Sequence, residues 1–379
     1  MAGPLFVFVV GDIGGAKMML PVIPLLQEAE VEVEVLVDIE GEGQKIFADT
    51  GVVTHSIAKA GIDEGKAIPL EKANLLFVGT CGTANKLERA VTTRYFGKKP
   101  VVLGADSFFN HNRLDWRGVQ ADYWLAINEE HAADIRRRRS RLGPDQVLVV
   151  GNSAFDNLPA LYQCKDEVRR QRRQELGLTE NQFLAIWWSQ GTDCVLGEDV
   201  AYACESIRCL CGRPVMFAPM IHPKVERIRA GYIAEIKQKI EKTVADYNVN
   251  LLPETAVRGK MPFEEFCLAA DLVFDITSTE GIKNNILGGP PVIHFIGFNA
   301  RHWFERDLGL EPPDYLPDVR SHQSFAARSF MELAGDIELA LHPVANVSRQ
   351  EYLEHCGWQP PVVDNAAQRI TDALLEIAG

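Results

Sequence analysis

Short apolar runs, each followed by a small polar turn and a helical segment, recur along the whole chain. Runs such as Leu5–Val10 and Phe183–Trp188 have the length of buried strands and are too short for buried helices. Strands that alternate with helices are joined by crossover connections, and such connections produce parallel sheets covered by helices on both faces. The pattern therefore predicts an α/β fold with doubly wound, mainly parallel sheets.

The length of the chain and a change in its composition predict two domains. A chain of 379 residues is long for a single hydrophobic core. A charged helical segment, Lys165 to Gln174, separates two series of strands. We expect a first domain at 1–165 and a second at 166–364, facing each other across a ligand-binding cleft. The amphipathic tail 365–379 is expected to pack back on the first domain.

Composition and charge exclude several classes of protein. The hydrophobic content of 46% and the charged content of 24% are typical of a soluble globular protein. The formal net charge of −13 argues against binding to nucleic acid, although a local basic pocket could still bind an anion. No basic leader and no apolar run of ~18 residues is present, so we expect a cytoplasmic protein without a transmembrane segment. The eight cysteines include no CxxC pair, and we predict no metal site. Assembly into a homodimer is possible.

A strand, a cluster of hydroxyl residues and a helix start follow one another at residues 273–287. Thr277, Ser278 and Thr279 lie at the turn, where the free N–H groups of a helix N-terminus favour a phosphate or diphosphate. Glu280 would repel a phosphate, so beside Gly281 it is expected to accept hydrogen bonds from sugar hydroxyls. The alternative is a Ser/Thr helix cap with a first-turn glutamate, which needs no ligand.

Two turns in the first half also favour an anion. The first strand is followed by a turn that contains Gly14 and Gly15, and the strand Leu75–Val78 is followed by Gly79 and Thr80. The first turn is not GxGxxG, and we identify no acidic residue at the end of a second strand in the right register, so a dinucleotide site is not favoured. A turn without any ligand is the alternative interpretation.

Two aspartates are candidates for acid/base chemistry. Asp106 follows the strand Pro100–Leu103, at the strand end where open α/β sheets place functional groups, and Asn110 and Arg113 follow in the same polar loop. Asp12 follows the first strand. Each aspartate also has a structural alternative: Asp12 could cap a helix, and Asp106 could pair with Arg113.

Two further polar segments follow strands in the second half. Ser189, Gln190, Gly191 and Thr192 come directly after an apolar strand. His222 follows another strand and is either a ligand or acid/base group or a structural histidine.

Together these segments resemble the GT-B superfamily, which contains nucleotide-sugar glycosyltransferases and the non-hydrolysing UDP-N-acetylglucosamine 2-epimerases. The matching segments lie, in the family's order, at 11–15, 79–83, 149–156, 220–223 and 277–291. The resemblance implies two Rossmann-like domains, with a nucleotide-diphosphate sugar held mainly by the second and no further cofactor. It implies that Ser278 to Gly281 meet the diphosphate and sugar, that Ser189 to Thr192 lie near the phosphates, and that His222 lies near the phosphates or the nucleotide. Gly14 and Gly15 would let an acceptor or sugar approach the backbone.

The chain departs from the epimerase pattern at the acid/base carboxylates. The His-x-Glu-Ala-Gly and Pro-Glu-Glu-x-Asn-Arg segments of that family are not matched, and only Asp106 could stand for one carboxylate. The leading hypothesis is therefore metal-independent transfer of a sugar from a nucleotide-diphosphate sugar to an acceptor hydroxyl, with Asp106 or Asp12 as the base. An epimerase and a non-catalytic nucleotide-sugar-binding protein are the alternatives, and inverting and retaining chemistry both stay open.

Overall fold

The chain divides into two compact units, residues 1–157 with 363–379, and residues 158–362. The predicted boundary after residue 165 falls inside the second unit, because the charged helix Lys165–Glu175 packs against the helix Phe263–Ala269. Arg173 of the charged helix donates to the carbonyl of Ala269 and to Asp271. The structure is a computed structural model that describes residues 3–39, 41–58, 61–62, 68–80, 86–108, 110–188, 197–221, 231–247, 249–276, 279–297, 301, 305, 324–341 and 365–379, with backbone only for 68, 197–202, 232, 243 and 279.

In the first unit the described residues form a seven-stranded parallel sheet in the order β3-β2-β1-β4-β5-β6-β7. Strand order reverses between the neighbours β1 and β4, so this is the switch point of a doubly wound sheet. The strands are β1 Leu5–Val10, β2 Glu32–Asp38, β3 Val53–Ile57, β4 Leu75–Gly79, β5 Val101–Gly104, β6 Tyr123–Ala126 and β7 Val147–Val149. The α-helices are Ile13–Met19, Val22–Glu28, Gln44–Phe47, Ile68–Lys72, Lys86–Tyr95, Glu129–Arg138 and Ala366–Ala378.

In the second unit the described residues form a six-stranded parallel sheet in the order β10-β9-β8-β11-β12-β13, with the switch point between β8 and β11. Within the described ranges, no helix is both long enough and apolar enough to cross a membrane. The strands are β8 Phe183–Trp188, β9 Val215–Met220, β10 Asn250–Leu251, β11 Leu272–Asp275, β12 Val292–Phe295 and β13 Phe325–Ala327. The α-helices are Leu158–Gln163, Lys165–Glu175, Gly197–Cys211, Tyr232–Asp246, Phe263–Ala269, Thr279–Ile286 and Phe330–Leu341.

The central strands are apolar at nearly every position because both faces of each sheet are covered. Phe6 and Phe8 of β1 enter one hydrophobic cluster, whereas Val7 and Val9 enter the cluster on the opposite face. Strand β8 repeats this arrangement, and its two tryptophans, 187 and 188, are both buried. Parallel sheets require such cover, and near-continuous apolar runs are their sequence signature. The predicted α/β fold with doubly wound parallel sheets is confirmed.

Sequence patterns were wrong or silent at several elements. The first helix begins at Ile13, so the predicted glycine turn is its first turn. Strand β2 ends in the buried Asp38, and Val37 pairs with Val10, so an acidic residue does end the second strand, contrary to the sequence interpretation. No strand was predicted at β3, because it lies at the sheet edge and is largely half-buried or exposed, which leaves little apolar pattern.

The C-terminal helix Ala366–Ala378 belongs to the first unit, although more than 200 residues separate it from that unit in sequence. Its apolar face, including Ile370 and Leu374, is buried in the core beside β1. Both carboxylate oxygens of Asp156 accept backbone N–H groups at the start of this helix, from residues 366 and 367, each at 2.9 Å. Gly151 has φ +89°, and a Cβ there would lie 2.8 Å from the Cβ of Ala366, so glycine is required at this contact.

Replacing Asp156 should loosen the attachment of the C-terminal helix. We expect Asp156→Ala to cost about 1–2 kcal/mol, because a cap that satisfies two helix N–H groups is lost. Native-state hydrogen exchange of the amides in the C-terminal helix measures the effect. Asp372→Ala is the matched control, since Asp372 is exposed on the same helix, where its carboxylate accepts a hydrogen bond from Gln368. Equal protection in the two variants would contradict the assigned role.

Candidate functional site

Loops from four strands of the first sheet meet at its carboxyl edge, next to the switch point. Asp12 follows β1, Thr80 follows β4, Asp106 follows β5 and Asn152 follows β7. Thr80, Asp106 and Asn152 are all buried, and Asp106 is 8% exposed. Because the strands are parallel, their carboxyl ends share one edge, and this edge is where open α/β sheets bind ligands. The structure thus brings the two predicted aspartates together with Thr80.

Hydrogen bonds hold the carboxyl group of Asp106 on one side. Asn110 Nδ2 donates to Oδ1 at 2.9 Å. Thr80 Oγ1 lies 3.2 Å from the same oxygen and 3.2 Å from the carbonyl oxygen of Gly104, so its single proton can go to either. Asn152 Nδ2 donates to the backbone carbonyl of Asp106 at 3.2 Å. Asn152 is a site residue that sequence analysis did not single out.

Gly14 brings the first helix against the other side of this carboxyl group. A Cβ at residue 14 would lie 2.8 Å from Oδ2 of Asp106 and 3.5 Å from Oδ1 of Asp12. Asp12 caps the helix, and its Oδ1 accepts the N–H of Gly15 at 3.1 Å. Asp12 therefore caps the helix, which was the structural alternative for this residue. The group that lies closest to Gly14 is the carboxyl group of Asp106.

The environment of Asp106 favours its neutral form. Burial raises the pKa of the carboxyl group to about 7, and the nearby Asp12 adds to the rise, while the hydrogen bonds from Asn110 and Thr80 oppose it. A carboxyl group with this pKa is partly ionised at neutral pH, so it can accept a proton and also return one.

Arg113 does not pair with Asp106, in contrast to the structural alternative stated from the sequence. Its Nε donates to Oδ1 of Asp115 at 3.3 Å, within the same loop. The short 3-10 turn Asn110–Asn112 directs Asn110, not Arg113, toward Asp106.

A hydrogen-bonded chain of two buried histidines and a half-buried aspartate lies beside the loop that follows Asp106, and sequence analysis missed it. The N–H of Ile127 donates to His131 Nδ1 at 3.3 Å, so the proton of a neutral His131 is on Nε2. That nitrogen lies 3.0 Å from His111 Nδ1, and His111 Nε2 lies 2.8 Å from Asp134 Oδ2. Burial lowers the pKa of both histidines, that of His131 to about 3. The i, i+3 spacing of His131 and Asp134 was visible in the sequence, but their partner His111 is brought in by tertiary folding.

In the second unit, Glu280 is bound to a neighbour on its own helix. Lys283 Nζ donates to Glu280 Oε1 at 3.2 Å and also to Glu264. Lys283 is only 3% exposed. Its burial lowers its pKa, but the carboxylates of Glu280 and Glu264 outweigh this and the pKa is raised overall. One oxygen of Glu280 is thus oriented by a buried cation at the start of the helix Thr279–Ile286.

Gly281 packs against a second buried pair at the end of β11. His294 Nδ1 and Asp275 Oδ1 form a hydrogen bond between neighbouring strands. A Cβ at Gly281 would collide with Oδ2 of Asp275, so glycine lets this helix approach the carboxyl edge of the second sheet. Neither Asp275 nor His294 was a sequence-based candidate.

The remaining predicted ligand contacts stay predictions. Across the described ranges, no group of three or more His, Cys, Asp or Glu side chains comes together as a candidate metal site. The side chain of Thr279 is not described, although its backbone begins a helix. Ser189, Gln190, Gly191, Thr192, His222, Thr277 and Ser278 lie outside the described residues.

Solved structures similar to this chain share its architecture over nearly its whole length. No protein-family model and no curated protein matches the chain. The UDP-GlcNAc 2-epimerase of Neisseria meningitidis, solved with UDP-GlcNAc, matches with TM-score 0.68 and 14% identity over 98% of this chain and 100% of its own. HepE of Anabaena, solved with UDP, matches with TM-score 0.56 and 15% identity over 99% and 97% of the two chains. The wall teichoic acid polymerase TagF matches with TM-score 0.56 and 13% identity over 99% and 89%.

The chain therefore has the fold of the GT-B superfamily. The resemblance inferred from its sequence segments is confirmed at the level of fold.

Removing the charge of Asp12 should lower the pKa of Asp106. We expect the Asp106 pKa to fall below its value of about 7 in Asp12→Asn, because a neighbouring like charge is lost. Asparagine also caps helices well, so the first helix should persist. ¹³C NMR titration of side-chain carboxyl groups measures the change, with Asp106→Asn to assign the signal. Asp115→Asn is the control, and an unchanged Asp106 pKa in Asp12→Asn would refute the coupling.

The buried histidines should make the first unit sensitive to acid. Burial lowers the pKa of His131 from its usual 6.5 to about 3 in the folded chain, so between these values the unfolded state binds more protons. Stability should fall as pH drops below 6.5, by up to about 1.4 kcal/mol per pH unit for one such proton.

Asp106 has the opposite effect on how stability depends on pH. Its raised pKa makes the folded state bind more protons between about pH 4 and 7, so its contribution to stability falls as pH rises. Urea unfolding of Asp106→Asn at several pH values therefore removes this opposing contribution from the profile. His131→Phe in the same background should flatten the profile, and an unchanged profile would show that His131 does not cause it.

Proposed function

We propose that this chain is a nucleotide-sugar enzyme of GT-B fold that transfers a sugar to an acceptor hydroxyl without a metal ion. The observation that carries the proposal is Asp106, a buried carboxyl group at the carboxyl edge of the first sheet whose pKa is raised to about 7. A general base works best when its pKa lies near the working pH, and a hydroxyl acceptor needs such a base.

Asp106 is the proposed base, rather than Asp12. One oxygen of Asp12 already accepts the N–H of Gly15 as a helix cap. Asp106 has Oδ1 held by Asn110, while Oδ2 lies toward Gly14, where the helix carries no side chain. Oδ2 is therefore the oxygen that we assign to proton transfer.

The proposed reaction follows from this assignment. The acceptor oxygen attacks the anomeric carbon as Oδ2 of Asp106 takes its proton. The bond between that carbon and the diphosphate oxygen breaks, and the diphosphate leaves with the electron pair. Free N–H groups at a helix start and nearby hydroxyls would stabilise the leaving diphosphate. We propose this role for residues 277–279 and 189–192, a contact to the phosphates or nucleotide for His222, and a sugar contact for Glu280.

The comparisons support nucleotide-sugar chemistry and keep one further candidate. Two of the similar structures hold UDP-GlcNAc or UDP, and TagF is a polymerase. The epimerase has the higher TM-score, 0.68 against 0.56, which favours epimerisation of a UDP-sugar as the second candidate. An epimerase would convert the donor without any acceptor, whereas a transferase needs one.

Binding and turnover test the proposal in sequence. A thermal-shift panel of UDP, GDP, CDP and dTDP with their common sugar conjugates should identify one donor, because ~100-fold excess over the dissociation constant stabilises by about 2.7 kcal/mol. With that donor, Asp106→Asn should lower kcat by roughly 10²–10⁴-fold and leave the donor dissociation constant unchanged.

Asp115→Asn is the matched control, since it removes a carboxylate from the same loop but not from the Asp106 cluster. Turnover that survives Asp106→Asn would remove the base assignment. Conversion of the donor in the absence of acceptor would select epimerisation. Binding without turnover in the wild type would leave a nucleotide-sugar-binding protein, and no thermal shift at all would overturn the proposal.

A further inference from the structure

The loop after Asp106 places Asn110 between two residues that contact His131. The ring of Phe108 packs against the imidazole of His131, with ring centroids 5.5 Å apart. His111 lies on the other side of Asn110 and forms the hydrogen bond to His131 Nε2. Asn110 itself reaches back four residues to Oδ1 of Asp106. The position of Asn110 therefore depends on how Phe108 and His111 are held against the helix Glu129–Arg138.

Directional hydrogen bonds fix His111. Its Nδ1 accepts from His131 and its Nε2 donates to Asp134, so both ring nitrogens are engaged while both histidines are neutral. Asn112 donates to the same oxygen of Asp134 at 2.8 Å. Arg139 also donates to the backbone carbonyl of His111, at 3.0 Å. The short turn that contains Asn110 is thus attached to the helix by side chains and by backbone.

The charged groups around this chain keep Asp134 ionised. Arg137 and Arg138 both donate to Asp134. Hydrogen bonds from His111, Asn112 and Arg137 hold the pKa of Asp134 below its usual range despite burial. An ionised Asp134 accepts only, so His111 Nε2 must donate to it. The direction of every hydrogen bond from Ile127 to Asp134 is therefore determined.

We propose that the chain from His131 through His111 to Asp134 is a positioning device, which holds Asn110 on Oδ1 of Asp106 and so leaves Oδ2 directed toward Gly14. It acts on the reacting carboxyl group only through Asn110. Imidazoles suit the role because a buried neutral histidine can accept at one nitrogen and donate at the other. The inference rests on the proposed function, since it concerns the same carboxyl group.

A double-mutant cycle on the titration of Asp106 tests the proposal. The Asn110 hydrogen bond lowers the Asp106 pKa, so Asn110→Ala should raise it, by about 0.5–1 unit for a hydrogen bond of ordinary strength. His111→Phe should raise the pKa in the same direction, because Asn110 would no longer be held in place. The double variant should match Asn110→Ala alone, since in the proposal His111 acts on Asp106 only through Asn110. ¹³C NMR of the Asp106 carboxyl group measures all four proteins.

Further variants separate positioning from general damage to the fold. His111→Gln, whose amide can donate to Asp134, should restore the wild-type pKa. His55→Phe is the matched control, because His55 pairs with Glu34 near the edge of the same sheet, and it should leave Asp106 unchanged. If His111→Phe does not fold, His131→Phe provides the same comparison, since it removes the first imidazole and keeps the bond between His111 and Asp134.

An Asp106 pKa that is unchanged in the histidine variants, or shifts that add fully in the double variant, would overturn the proposal. The NMR titration needs no substrate, so it is independent of the proposed reaction. If the cycle behaves as expected and no sugar is transferred, the positioning device stands and the proposed function fails. If a sugar is transferred but the pKa shifts add fully, the proposed function stands and the positioning device fails.

Discussion

Both sheets must be covered on both faces, and this requirement decides where polar chemistry can be placed in each unit. Side chains of β1 and β8 point alternately to the two faces of their sheet and are buried on both, so a ligand cannot bind along these strands. Backbone N–H groups, hydroxyls and carboxylates are left to the strand ends. The loops at the carboxyl edge of the first sheet consequently bring together residues from four strands that are far apart in sequence.

Burial of a carboxyl group at that edge has a clear electrostatic consequence. Asp106 is desolvated and lies near Asp12, and both effects favour its neutral form. Hydrogen bonds from Asn110 and Thr80 pull in the other direction and keep the pKa near neutrality, at about 7. The same balance occurs in reverse at Lys283, where two carboxylates outweigh the burial of a cation. Each unit therefore places a buried ionisable group near its switch point.

Several parts of the site could be found from the sequence because a strand end marks them. Asp12, Thr80 and Asp106 each follow an apolar run directly, and parallel strands bring such ends to a single edge. The helix cap at Asp12 was among the alternatives, since aspartate is a preferred cap before a helix. Pairing of Arg113 with Asp106 was the structural alternative for Asp106 and is wrong, because proximity in sequence does not indicate which way a short 3-10 turn directs its side chains.

The sequence by itself determined the α/β class, the parallel sheets and the superfamily resemblance, since these depend on hydrophobic periodicity and on turn residues next to each strand. Only the tertiary structure decided that Asn152 binds the carbonyl of Asp106, and that His111 meets His131. These contacts join segments up to 46 residues apart. No local pattern encodes them, because they arise when helices pack on the sheet and fix side-chain directions that the chain leaves open.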